Sequence, residues 1–132
     1  MWFCKVNGII SGAPVAMARP RVTKFGTYTA PKSKAYMDSV IKELHDKDQK
    51  LEGPIRLVVI FVHPRPKRIT CVERTPKTTK PDIDNLVKMV MDIFSKANVW
   101  CDDNQVTEIH AMDYYANAYE QPHTMYQVYT AL

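Results

Sequence analysis

The chain has 132 residues, 45% apolar and 24% charged, which suits one soluble globular domain spanning 1–132; with no run of about 18 apolar residues, a membrane-crossing helix is not expected. Cys4, Cys71 and Cys101 are odd in number and far apart, with no CxxC pair, which argues against a zinc site and for reduced thiols in a cytoplasmic protein. The net charge of +4 is unevenly spread: residues 1–37 hold six Lys/Arg and no acid, and residues 64–80 hold six against Glu73 alone, so the rest is acidic. A polyanionic partner would meet two basic segments around an acidic centre, although two solvated loops would carry the same pattern.

Residues 2–10 alternate, with Trp2, Cys4, Val6 and Ile10 on one side and Phe3, Lys5, Asn7 and Ile9 on the other, which predicts a strand. Ser11-Gly12-Ala13-Pro14 ends it, and Met1-Trp2-Phe3-Cys4-Lys5 before it lacks a signal-peptide pattern. A basic loop follows, carrying Arg19, Arg21 and Lys24 among Pro, Gly and Tyr, a mixture suited to phosphate and sugar contacts. Pro31 opens an amphipathic helix in which Tyr36, Val40 and Leu44 recur at spacing four, running to about Lys47. Ile55-Arg56-Leu57-Val58-Val59-Ile60-Phe61-Val62 reads as an interior strand covered on both faces, and His63 at its end reads as structural. Residues 64–80 hold three prolines and little periodicity; a loop of that length beside an acidic motif reads as a flexible basic lid.

The clearest helix starts at Asp82 as N-cap and ends near Asn98. Ile83, Leu86, Val87, Val90, Ile93, Phe94 and Ala97 cover one arc; Asp84, Asn85, Lys88, Asp92 and Ser95 fall opposite. A strand to about Tyr115, a loop over 116–122 and a last strand over 123–131 read as a C-terminal β-hairpin. Tyr114, Tyr115, Tyr119, Tyr126 and Tyr129 there read mainly as fillers of a half-buried sheet.

Each piece of the acidic constellation has a local explanation: Asp82 as a cap, Asp84 as an acid at a helix start paired with Lys88, and Asp102-Asp103-Asn104 as a turn. Their conjunction is harder to explain locally. Should the later acids fold back beside the first pair, the shared carboxylates would raise one another's pKa unless a cation compensates. Oxygen ligands select Mg²⁺ first and Mn²⁺ second, for phosphoryl chemistry in which Lys88 would stabilise developing charge. With four glycines and no phosphate-cradling loop, no nucleotide cofactor is expected.

These residues resemble the RusA family of Holliday-junction resolvases of bacteria, phages and prophages. The resemblance rests on Lys80-Pro81-Asp82-Ile83-Asp84-Asn85-Leu86-Val87-Lys88, then Asp92, then Trp100-Cys101-Asp102-Asp103-Asn104-Gln105-Val106. Arg19-Pro20-Arg21 and Gly26-Thr27-Tyr28 extend it over nearly the whole chain. It implies a homodimer that binds four-way DNA junctions and makes paired, Mg²⁺-dependent nicks, in the cytoplasm of a bacterial or phage-infected cell. Asp82, Asp84 and Asp103 would be metal ligands with Asp102 close by, Lys88 would be catalytic, and Asn85 would support them. The implied fold is a small α/β (α+β) domain with a mixed sheet packed by two main helices. The long basic insert before Pro81 departs from the shorter, arginine-rich approach of the best-known members.

On this reading Arg19, Arg21, Lys24, Arg65, Lys67, Arg68, Arg74, Lys77 and Lys80 would hold the DNA backbone. The competing expectations are a DNA-binding module without catalysis and a nuclease acting on flaps or duplex.

Overall fold

The most apolar stretch of the chain takes the centre of the sheet. The computed structural model describes residues 1–18, 21–24, 26–28, 31–44 and 50–131. In chain order the elements are β1 (Trp2–Ser11), β2 (Arg21–Thr23), β3 (Gly26–Tyr28), α1 (Pro31–Leu44), β4 (Ile55–His63), β5 (Thr75–Pro76), α2 (Ile83–Lys96), a 3₁₀ turn (Asp103–Gln105), β6 (Val106–Tyr115) and β7 (His123–Ala131). A five-stranded sheet runs β1-β7-β4-β6-β5, and β2 and β3 form a separate ribbon. The sheet is mixed: β4 pairs with β6 in parallel and with β7 antiparallel. With its two helices the fold is α+β, as the sequence predicts.

Three expectations need correction. The last two strands do not form a hairpin, because β4 lies between them. Strand β4 is the richest in β-branched residues and wins the central position, and the seven residues 116–122 bridge the strand between β6 and β7. Second, β4 is covered by helices on one face only. Ile55, Leu57, Val59 and Phe61 join one core with Met37, Val40 and Leu44 of α1 and Leu86, Met89, Val90, Ile93 and Phe94 of α2. Arg56, Val58 and Ile60 point the other way and are half-buried. Third, the alternation of β1 is broken. Cys4 faces Tyr129 and Val6 faces Val128, so Lys5 is an extra residue. The bulge moves Trp2 and Cys4 to the face opposite Val6 and Ile10, where the Trp2 ring lies 4.5 Å under the Arg56 guanidinium.

Helix α1 is described to Leu44, and its expected continuation to Lys47 lies outside the described residues. Buried Ser33 ties the helix to the segment before β2, donating to the Ala16 carbonyl and accepting from the Ala18 amide, both at 3.2 Å. Helix α2 ends where expected, with Asn98 in the left-handed region at φ 59°. Its Phe94 meets Trp100 and Tyr126 edge-on, with centroids 5.5 and 5.0 Å apart. Tyr126 packs directly over Gly8, where a Cβ would come within 2.5 Å of the phenolic oxygen. Of the other tyrosines, Tyr115 is buried and Tyr119 stands 86% exposed on the loop between β6 and β7.

Candidate active site

Helix α2 is a rod with carboxylates at both ends. At its start, Asp82 occupies the N-cap position with extended backbone, but its side chain makes no capping hydrogen bond. The Asp84 carboxylate accepts only from the neighbouring Asn85 amide, at 3.0 Å, among the described residues. The ion pairs of the described residues do not include Asp84–Lys88. The capping bond of Asp82 and the Asp84–Lys88 pair that would explain these acids locally are therefore unmade among the described residues. Both carboxylates are exposed beside a helix N-terminus, where backbone N–H groups favour negative charge. Lys88 is exposed one turn further along.

The later acids return to the other end of the helix. Asp102 caps the 3₁₀ turn, accepting from the Asn104 amide at 3.0 Å, and Gln105 closes the box by accepting from the Cys101 and Asp102 amides at 2.7 and 3.1 Å. The Gln105 amide group also donates to the Leu51 and Gly53 carbonyls, so this turn is anchored to the segment just before β4. Asp103 accepts through Oδ1 from Ser95 Oγ and, at 3.2 Å, from the indole N–H of buried Trp100. No hydrogen bond to Asp103 Oδ2 occurs among the described residues. Asp92 completes a second acidic pair. Burial first, and then the Asp103 carboxylate, push the Asp92 carboxyl above its usual range, while Lys96 and Lys88 pull it down.

Asp82 and Asp84 thus stand at one end of α2, and Asp103, with Asp92, towards the other. From Asp84 to Ser95, which holds Asp103, the helix rises about 16 Å at 1.5 Å per residue. Among the described residues no three His, Cys, Asp or Glu side chains converge to hold a metal ion. The donor chemistry nevertheless suits a hard cation, since the acids at both ends of α2 offer carboxylate oxygens. Mg²⁺ requires only one or two, because water and substrate phosphate complete its shell.

An open groove of about 820 Å³ runs past the start of α2. Residues 14–18 form one wall and Pro81, Asp82 and Asn85 the other, with Lys32 and Lys80 beside them. The Asn85 carbonyl, accepting from the Met17 amide at 3.0 Å, fastens the two walls together.

The basic segment 64–80 is irregular apart from the short β5, as expected, and several of its cations bond to neighbouring groups. Arg65 donates to the carbonyls of Ile69, Cys71 and Ala116. Arg74 grips Glu120 through two bonds of 2.8 and 3.0 Å. Lys77 is turned inward. Lys67, Arg68 and Lys80 remain exposed, with Arg68 stacked on the Tyr115 ring at 5.4 Å. Of the earlier cations, Lys24 is exposed in the turn between β2 and β3, Arg21 lies on β2, and Arg19 falls outside the described residues.

The sequence reading missed a buried polar cluster, His63–Asp113–Lys77. Strand parity offers a signal for it: Asp113 pairs with core-facing Phe61, so it points inward, where an acid needs partners.

The family described as Endodeoxyribonuclease RusA matches residues 11–124. Uncharacterized protein YqaN of Bacillus subtilis (strain 168) is similar at 29% identity over 122 residues, covering 81% of this chain and 85% of that protein.

Proposed function

Because the chain belongs to the RusA family of endodeoxyribonucleases, a family that implies Holliday-junction resolution, we propose that it is a structure-selective nuclease that nicks four-way DNA junctions with Mg²⁺, or Mn²⁺ in its place. The observation that carries the reading is that the family match spans Asp82, Asp84, Lys88 and Asp103, while among the described residues the Asp82 and Asp84 side chains have no hydrogen-bond partner beyond one neighbouring amide. Asp82 and Asp84 would hold the cation, with Asp103 as a further ligand. Bound there, it supplies Lewis-acid polarisation of the scissile phosphate and an activated water. Lys88, one turn along the same face, would stabilise charge developing on the phosphoryl oxygens. Asn85 would hold the groove wall through its backbone. Lys67, Arg68 and Lys80, with Lys24, Arg21 and Arg19, would neutralise the DNA backbone, and the groove past Asp82 gives the strand a path.

The separation of the two acidic pairs along α2 favours a homodimer. If two α2 helices pack antiparallel about a two-fold axis, Asp82 and Asp84 of one chain approach the partner's Asp103. Two such sites suit a junction of two-fold symmetry.

The primary test is a labelled four-way junction incubated with Mg²⁺, Ca²⁺ or EDTA beside flap and duplex DNA. Mg²⁺-dependent, junction-selective nicks are expected; a mobility shift without nicks under any metal would leave a DNA-binding module instead. The shared site has its own test. Asp84→Asn and Asp103→Asn are each expected to be inactive. Unfolded together and refolded, they should regain single nicks, because each mixed dimer contains one intact site. No recovery, with mixed dimers verified by mass, would mean that each chain builds its site alone.

A further inference from the structure

The cluster His63–Asp113–Lys77 sits under the segment that leads into Asp82. The Lys77 side chain is 3% exposed. Its ammonium has three N–H donors. Two go to main-chain carbonyls, those of Thr79 and, at 2.9 Å, Pro81, the residue immediately before Asp82. The third faces Asp113 Oδ2 at 3.8 Å. Asp113 is 8% exposed, and its other oxygen accepts from His63 Nε2 at 2.6 Å. Burial, the largest influence, pushes the His63 imidazole below its usual range, with Asp113 pulling it up and Lys77 pulling it down. A neutral His63 leaves one anion and one cation in the cluster, so its charges balance. The backbone joins in: the Lys77 amide donates to the Asp113 carbonyl at 3.0 Å, and Thr79 Oγ1 lies 2.6 Å from the Tyr115 hydroxyl.

A buried ion pair is a poor way to stabilise a fold, because desolvation offsets its attraction and apolar packing does as well. What this one supplies is direction. The lysine grips the carbonyls of a turn that carries no regular secondary structure, and it is held from below by an acid on the rigid β6. We propose that Lys77 is a positioning residue for the acidic motif: through the Thr79 and Pro81 carbonyls it fixes where Asp82 and the start of α2 stand, with Asp113 and His63 as its base. The proposal rests on the nuclease reading above. It reassigns a lysine that sequence alone places on DNA.

The experiment uses the full chain with Lys77→Met and Asp113→Asn combined, so that neither charge is left buried and alone. Wild type, this double variant and Val128→Ala, a core variant on β7, are compared on a four-way junction. The double variant should bind the junction in Ca²⁺ as wild type does. Its nicking rate at saturating junction should fall about 10- to 100-fold, the scale of an ångström-level misplacement, and its half-saturating Mg²⁺ should rise. Val128→Ala should lose thermal stability without moving the Mg²⁺ dependence. Where the double variant does not fold, Lys77→Gln, shorter and neutral, is read in its place. Wild-type rate and Mg²⁺ dependence in the variant, with wild type active, would overturn the positioning role alone. An inert wild type would overturn the nuclease reading and this proposal with it.

Discussion

Asp84→Asn is expected to leave junction binding intact and to lower nicking by about 10²–10³-fold or more, the scale on which a single preorganised electrostatic partner acts. The substitution keeps the shape of the side chain and its bond to the Asn85 amide, since the amide oxygen can accept as the carboxylate does. Asp84 is exposed, so no core contact changes. The fold loses only the favourable placement of an anion in the first turn of α2, about 0.3–1 kcal/mol. What disappears is the negative charge a hard cation requires. Binding measured in Ca²⁺ should be unchanged or tighter, because one anion fewer faces the phosphates. A gel-shift titration and a cleavage time course on the same labelled junction separate the two effects. Full activity in the variant would remove Asp84 from the site.

Phe94→Ala is expected to destabilise the protein by about 3–5 kcal/mol, a large fraction of the roughly 5–15 kcal/mol typical of a domain. Phe94 is completely buried and touches two other aromatic rings edge-on. Those rings come from different parts of the fold: Trp100 from the turn after α2 and Tyr126 from β7. Truncation therefore opens a cavity where α2, the sheet and the acidic turn meet, and that cavity cannot collapse without moving Tyr126 off Gly8. Because the Trp100 indole also donates to Asp103, nicking by the folded fraction should fall as well. Urea unfolding followed by tryptophan fluorescence measures the first effect. A midpoint within experimental error of wild type would show that the aromatic cluster is not a keystone.

Much of this architecture is written in local patterns. The arc Leu86, Val90, Ile93 and Phe94 gives α2 and its buried face, and Asn98 gives its end. Strand existence is equally plain in residues 2–10, 55–62 and 123–131. Strand order is not, because pairing is a long-range competition: nothing in residues 106–131 alone tells that β4 will insert between β6 and β7. The bulge at Lys5 is hidden for a related reason, since alternation in a sequence is unbroken when the extra residue is itself polar. The site divides the same way. Asp82 and Asp84 are visible as an unusual helix start, but spacing cannot tell that Asp103 comes back to Ser95 rather than to Asp84. Lysines are the least legible. Lys77 and Lys80 are three residues apart in one basic run, yet one grips buried carbonyls and the other lines the groove, and only the partners available on β6 decide between them.

The pairing of β1 with β7 has a consequence for how the protein is made. Residues 2–11 are made about a hundred residues before their strand partner, residues 123–131. At roughly 5–20 residues per second, β1 waits some 5–20 s with Val6 and Ile10 uncovered. Strand β4 is likewise left with one free edge until that moment, since β7 is its neighbour on that side. The β1 side of the sheet therefore cannot close before the end of β7 is made. Strands β4, β6 and β5 can pair before β7 emerges, but the sheet is complete only with β7, and such long-range pairing slows folding.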